Sequence, residues 1–134
     1  MTLKAQMQAV NPADINIPNI SQAILVESGK LLFLSGHVPL RQDGTLAGPE
    51  LEDQLEQVFQ NLKDTLQAAN ADFSNVARMT IYIRDLSSAD LGTIRSVRDR
   101  HIDQSRPPAS ALIGVAALYD PAVRVEIDAV AAIP

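Results

Sequence analysis

The feature that most constrains this chain is the strict alternation near its end. Val123, Val125, Ile127 and Ala129 fall on one side, and Arg124, Glu126, Asp128 and Val130 on the other. A period of two over this length requires a strand with one dry face, so the rest of the chain must supply a layer to cover it. Two carboxylates on the second face of a mostly apolar strand single out Glu126. Charged side chains are rarely fully buried, so the ordinary reading of that face is a wet one. Just upstream, Arg106-Pro107-Pro108 leads into a second apolar, strand-like run, Ala109 to Leu118. The short polar connection Tyr119-Asp120-Pro121-Ala122 predicts a hairpin between the two. Tyr119 either caps that hairpin or lines the mouth of a cleft.

Earlier segments are read by the same periodicities. Residues 1–18 form a loop-like N-terminal segment of a single domain spanning 1–134, with breakers at Asn11-Pro12 and Ile17-Pro18. Ser21–Val26 and Leu31–Leu34 are strands, and Ser28-Gly29-Lys30 between them predicts a hairpin. Gln42-Asp43-Gly44-Thr45 is a turn, and a short extra strand is expected near Leu46. Gly48-Pro49-Glu50 opens a long helix with acids at its positive end. Leu51, Leu55, Val58, Phe59, Leu62 and Leu66 form its apolar stripe, and Asn70 is its left-handed stop. From Val76 to Ile83 the chain alternates again, with Ala77, Met79, Ile81 and Ile83 against Val76, Arg78, Thr80 and Tyr82. Ser87 or Ser88 is expected to cap a second helix marked by Leu91, Ile94, Val97 and Ile102. This order predicts an α+β fold, a mixed β-sheet with two helices packed on one face. Leu112, Ile113, Val115, Ala117 and Leu118 exceed what two helices can cover, which predicts a homo-oligomer.

Composition narrows the function. A chain of 134 residues with 46% hydrophobic content suits one globular domain. No apolar run approaches the roughly 20 residues of a membrane helix, and Met1 to Gln6 lacks the apolar block of a secretory signal. Cysteine is absent, which removes disulfide and thiol chemistry. Together these features fit the cytoplasm. His37 and His101 are too few and too far apart for a metal cluster, and His37 reads as a satisfied turn residue. A net charge of −5 argues against binding to nucleic-acid phosphates. Arg95, Arg98 and Arg100 read as one solvated helix face.

Several stretches, in their order and spacing, resemble one family. These are Ser21-Gln22-Ala23, Leu31 to Pro39 with its Ser35-Gly36-His37 turn, Asn75 to Ile83, and Val125 to Ala131. Over about residues 18 to 131 the chain is similar to the Rid family, the reactive intermediate deaminases, also described as liver perchloric-acid-soluble ribonuclease-like proteins. The resemblance implies a chorismate-mutase-like subunit and a homotrimer with a central barrel. It implies small-molecule clefts between subunits that hydrolyse imines or enamines to a keto acid and ammonia, with no metal or organic cofactor. Glu126 then stands at the position of the water-holding glutamate, and Ser35 and Gly36 match the turn whose backbone N–H fixes the ligand. Ser110 occupies the position of a carboxylate-gripping arginine, since Pro108-Ala109-Ser110-Ala111 replaces the usual Pro-Ala-Arg-Ser/Thr. Ile20 stands for an aromatic wall, Leu112 for a second apolar wall, and Arg95 for an asparagine.

Exchanging a bidentate guanidinium for a serine hydroxyl costs roughly 1.5–3 kcal/mol of carboxylate binding. One reading is therefore a Rid-type cleft whose ligand is neutral or amine-bearing. Another keeps 2-imino acid deamination, with Arg95 or Arg106 replacing the missing guanidinium. A third is a non-catalytic ligand-binding or holdase-like protein. Ribonuclease action would need a general base that no histidine pair supplies.

Overall fold

A computed structural model describes residues 5–134. Among these residues, six strands, two α-helices and two short 3-10 turns follow one another. The strands are β1 (Met7–Val10), β2 (Ala23–Val26), β3 (Lys30–His37), β4 (Val76–Arg84), β5 (Ala109–Val115) and β6 (Val125–Ile133). The helices are α1 (Leu51–Ala68) and α2 (Leu91–His101). The main sheet has the order β3-β6-β4-β5, parallel only between β4 and β5. α2 forms the crossover that a parallel pair requires.

The predicted α+β architecture is present. The stripe on α1 is buried from Leu51 to Leu66, and it packs on β6, β3 and α2. Val125, Ile127, Ala129 and Ala131 of β6, with Met79, Ile81 and Ile83 of β4, supply the sheet side of the core. Asn70 has the expected left-handed backbone, with φ 57°. Gln54, fully buried on α1, donates to the carbonyls of Gly48 and Ala122 and accepts from the Arg124 N–H, tying the segment before β6 to the helix. The extra strand near Leu46 is a single bridge to Leu40. Among the described residues, no helix is long and apolar enough to cross a membrane.

Several local expectations are corrected. Residues 7–10, read as loop, form β1, which pairs antiparallel with β2 in a sheet of its own. The hairpin between β2 and β3 does not form, because β3 pairs with β6 instead. Gly29 makes the passage between the two sheets. It has φ 110°, and a β-carbon there would lie 2.6 Å from the Ile133 carbonyl oxygen, so any side chain would block it. The terminal hairpin is absent as well, since β4 lies between β5 and β6. α2 is capped by Asp90, whose carboxylate accepts from the N–H groups of Gly92 and Thr93, while Ser87 and Ser88 belong to a 3-10 turn. Arg98 does not share the solvated face of Arg95 and Arg100. It is 9% exposed and paired with Asp99 at 2.9 Å.

Candidate functional site

Strand alternation puts Glu126 and Asp128 on the sheet face opposite the helices. Among the described residues, no element is layered over the centre of that face, although β2 approaches its end at Arg78 and Val130. Thr80 and Tyr82 of β4 share it, as does β3, whose Leu31 and Phe33 are 53% and 73% exposed. A β-bulge shapes its centre. Leu34 pairs with Ala129 and His37 with Ile127, so Ser35 and Gly36 together stand opposite the single residue Asp128. His37 then turns toward α1. One ring nitrogen meets the Ser35 carbonyl at 2.6 Å and the other the Thr65 hydroxyl at 2.7 Å, which locks the turn as expected for a satisfied histidine.

The Glu126 carboxylate lies directly over Gly36. A β-carbon built on Gly36 would come within 2.8 Å of Glu126 Cδ and 3.1 Å of Cγ, so the missing side chain is the recess that holds the acid. On the other flank, Glu126 is the cross-strand partner of Tyr82, and Asp128 of Thr80. The Tyr82 hydroxyl donates diagonally to Asp128 Oδ2 at 3.2 Å. The Asp128 charge, aided by partial burial and by that bond, pushes the Tyr82 phenol above its usual pKa, and the Glu126 charge adds to the effect. Tyr82 is the residue that sequence reasoning missed. Its signal was a tyrosine on the polar side of an alternating strand.

The candidate residues separate into two groups. Ser35, Gly36 and Glu126 meet on the open face. Ser110 pairs in register with Met79, and Leu112 with Ile81, which puts both on the helix side of the edge strand β5. Ile20 accompanies this second group. The next residue, Ser21, bridges to Ala109, and its hydroxyl donates to the Pro107 carbonyl at 2.5 Å. Between Ser110 and Glu126 lie two strand spacings and three residues of rise, about 14 Å of backbone, on opposite faces. Arg95 is exposed on α2. Arg106 does not reach toward Glu126. Its guanidinium donates to the Ser74 carbonyl, and its buried Nε has no partner among the described residues. Tyr119 lines a hollow of about 280 Å³ with Leu40, Leu46 and Val123, whereas Arg78 and Gln22 line another of about 370 Å³ over the open face.

Comparison with known proteins gives a consistent result. The sequence profile of the family Endoribonuclease L-PSP matches residues 15–133. Protein DfrA of Myxococcus xanthus is 40% identical over 112 residues, 83% of this chain and 82% of that protein. The 2-iminobutanoate/2-iminopropanoate deaminase of Rattus norvegicus is 33% identical over 83% of this chain and 77% of its own length. Among solved structures, YyfB from Yersinia pestis, a Rid-family protein described as of unknown function, superposes with a TM-score of 0.85. It is 32% identical, and the match covers 95% of this chain and 98% of that one.

Proposed function

Because this chain belongs to the Endoribonuclease L-PSP family, the family of the Rid proteins, we propose that it hydrolyses a reactive imine or enamine in clefts between the subunits of a homotrimer. The observation that carries the reading is the Glu126 carboxylate held over the Gly36 recess, on a sheet face whose centre no described element covers. Deaminase-type relatives support the reaction class.

In this reading the Glu126 carboxylate accepts a hydrogen bond from a water and aims it at the imine carbon, taking its proton as the C–O bond forms. That proton returns to the imine nitrogen, giving the carbinolamine, and the carbinolamine's hydroxyl proton then passes through Glu126 to the amine. The C–N bond breaks, and a carbonyl compound and ammonia leave. The N–H after the Ser35-Gly36 turn fixes the ligand. Ser110 lies on the opposite face from Glu126, so a cleft that uses both draws them from different copies. Exposed Phe33, Leu31 and Ile113 supply an apolar surface for such an assembly. Ser110, Leu112 and Ile20 form its second wall. With Ser110 as the polar group there, the favoured ligand is neutral or amine-bearing, since Glu126 is then the main charge.

The test is ammonia release from freshly generated 2-aminoacrylate and from its carboxamide, with Arg95→Ala and Arg106→Ala alongside. We expect a rate above buffer and no preference for the carboxylate. No rate above buffer on either compound removes the proposed reaction. A strong preference for 2-aminoacrylate, lost in Arg95→Ala alone, would replace the neutral ligand with an acid held by a relocated arginine. Gly36→Ala provides a second check that leaves Glu126 itself in place. The added methyl must displace the carboxylate, and a shift of about 1 Å can cost on the order of a hundredfold in rate. We expect that loss with a thermal midpoint close to the parent's. Full activity in Gly36→Ala would detach the recess from the chemistry.

A further inference from the structure

We propose that Tyr82 is a positioning residue, its ring confining the Glu126 carboxylate to the recess over Gly36. The inference rests on the reading that Glu126 orders the attacking water, and it explains how a long, flexible acid keeps one direction.

Three residues form a row across the open face, Glu126 on β6, Tyr82 on β4 and Ile113 on β5, and the Glu126 carboxylate reaches diagonally over Gly36, which with Ser35 stands opposite Asp128 on β3. A glutamate on β6 leans toward one neighbouring strand or the other. Toward β3 the way is open, because Gly36 has no side chain. Toward β4 stands an aromatic ring on the directly opposed position, where side chains of an antiparallel pair touch. That ring has a bonded partner on one side and a cross-strand neighbour on the other. Its hydroxyl is bonded to Asp128 at 3.2 Å, and Ile113 occupies the next position outward on the same face. The bond to Asp128 runs diagonally, from the partner of Glu126 to the residue two positions further along β6, so it draws the ring along the flank of that strand. It also engages the neighbouring carboxylate, whereas Glu126 accepts no hydrogen bond among the described residues. The acid of this pair that stays free for a water is the one over the recess.

The experiment compares Tyr82→Phe, Tyr82→Leu and Tyr82→Ala with Glu126→Gln in the ammonia-release assay, resolved into kcat and KM, and reads the Glu126 side chain in crystal structures of the parent and of Tyr82→Ala. We expect Tyr82→Ala to lose ten- to a hundredfold in kcat with KM within about twofold. Tyr82→Phe should recover most of the rate. Glu126 should leave the Gly36 recess in the Tyr82→Ala crystal. If Tyr82→Ala fails to fold, Tyr82→Leu, which keeps apolar bulk but no planar ring, takes its place. An inactive Glu126→Gln with an undiminished Tyr82→Ala would overturn the role of Tyr82 and leave the reaction standing. An active Glu126→Gln would overturn the reaction, and the crystal structures would then decide the confinement alone. A Glu126 unmoved in Tyr82→Ala, a change confined to KM, or equal losses in the Phe and Ala variants would each defeat confinement by the ring.

Discussion

Glu126→Gln is expected to lower imine hydrolysis by roughly 10²–10⁴-fold, the usual contribution of a positioned general base, while leaving the fold intact. The substitution keeps shape and length, so the side chain still fits the recess over Gly36. It removes the charge and the ability to take a proton from water. KM should change little, because the acid acts on the water rather than on a fixed group of the ligand. Stability should stay within about 0.5 kcal/mol of the parent, as for other surface substitutions away from buried networks. The measurement is ammonia release against substrate concentration, together with a denaturant midpoint. A Gln variant that retains the parent rate would eliminate the proposed chemistry. It would favour a protein that binds without catalysis, for which the charge of Glu126 is dispensable.

The largest effect on stability is expected from Phe59→Ala, a loss of about 3–5 kcal/mol and of roughly 10–20 °C in the thermal midpoint. Phe59 is fully buried on α1. Its ring stacks on that of His101, with centroids 4.8 Å apart and planes within 3°, and tilts against Phe73 at 6.0 Å. One side chain thereby joins both helices to the turn that leads into β4. Truncation leaves a cavity at that junction and deprives His101 of the surface it rests on, although its 2.8 Å bond to Glu56 remains. Phe59→Leu should recover much of the loss by refilling the volume. Thermal and urea unfolding would check this. A Phe59→Ala variant melting within 2–3 °C of the parent would mean that the site collapses around the missing ring.

The sequence was informative about faces and much less so about neighbours. Periodicity identifies which residues of α1, β4 and β6 look inward, because burial of a regular element imposes its own repeat. It carries no record of which strand lies beside which. The runs flanking Gly29 look like a hairpin, yet β3 finds its partner about a hundred residues away, and Gly29 serves as a passage between sheets. The last two strands look adjacent for the same reason, although β4 separates them. Met7–Val10 is only four residues long, and the breakers Asn11-Pro12 and Ile17-Pro18 that follow it make the whole segment look like loop. The cap of α2 fell two to three residues beyond the expected serines because Asp90 competes for the same N–H groups. At the site, alternation singled out Glu126, but its seat on Gly36 depends on a bulge that no local pattern announces. Tyr82 was visible only as a member of a polar face, since its role depends on cross-strand register.

The placement of Ser110 and Glu126 on opposite faces of one sheet has a consequence for how mutations combine. In the proposed pocket shared between copies, a protein carrying only one of two defects, one in each wall, would be silent as a pure preparation. Mixed and allowed to exchange subunits, the two preparations would regain part of their turnover, since some pockets would inherit an undamaged half from each parent. In the proposed assembly, dilution below the dissociation constant would erase activity without unfolding anything, so turnover per chain becomes a gauge of assembly.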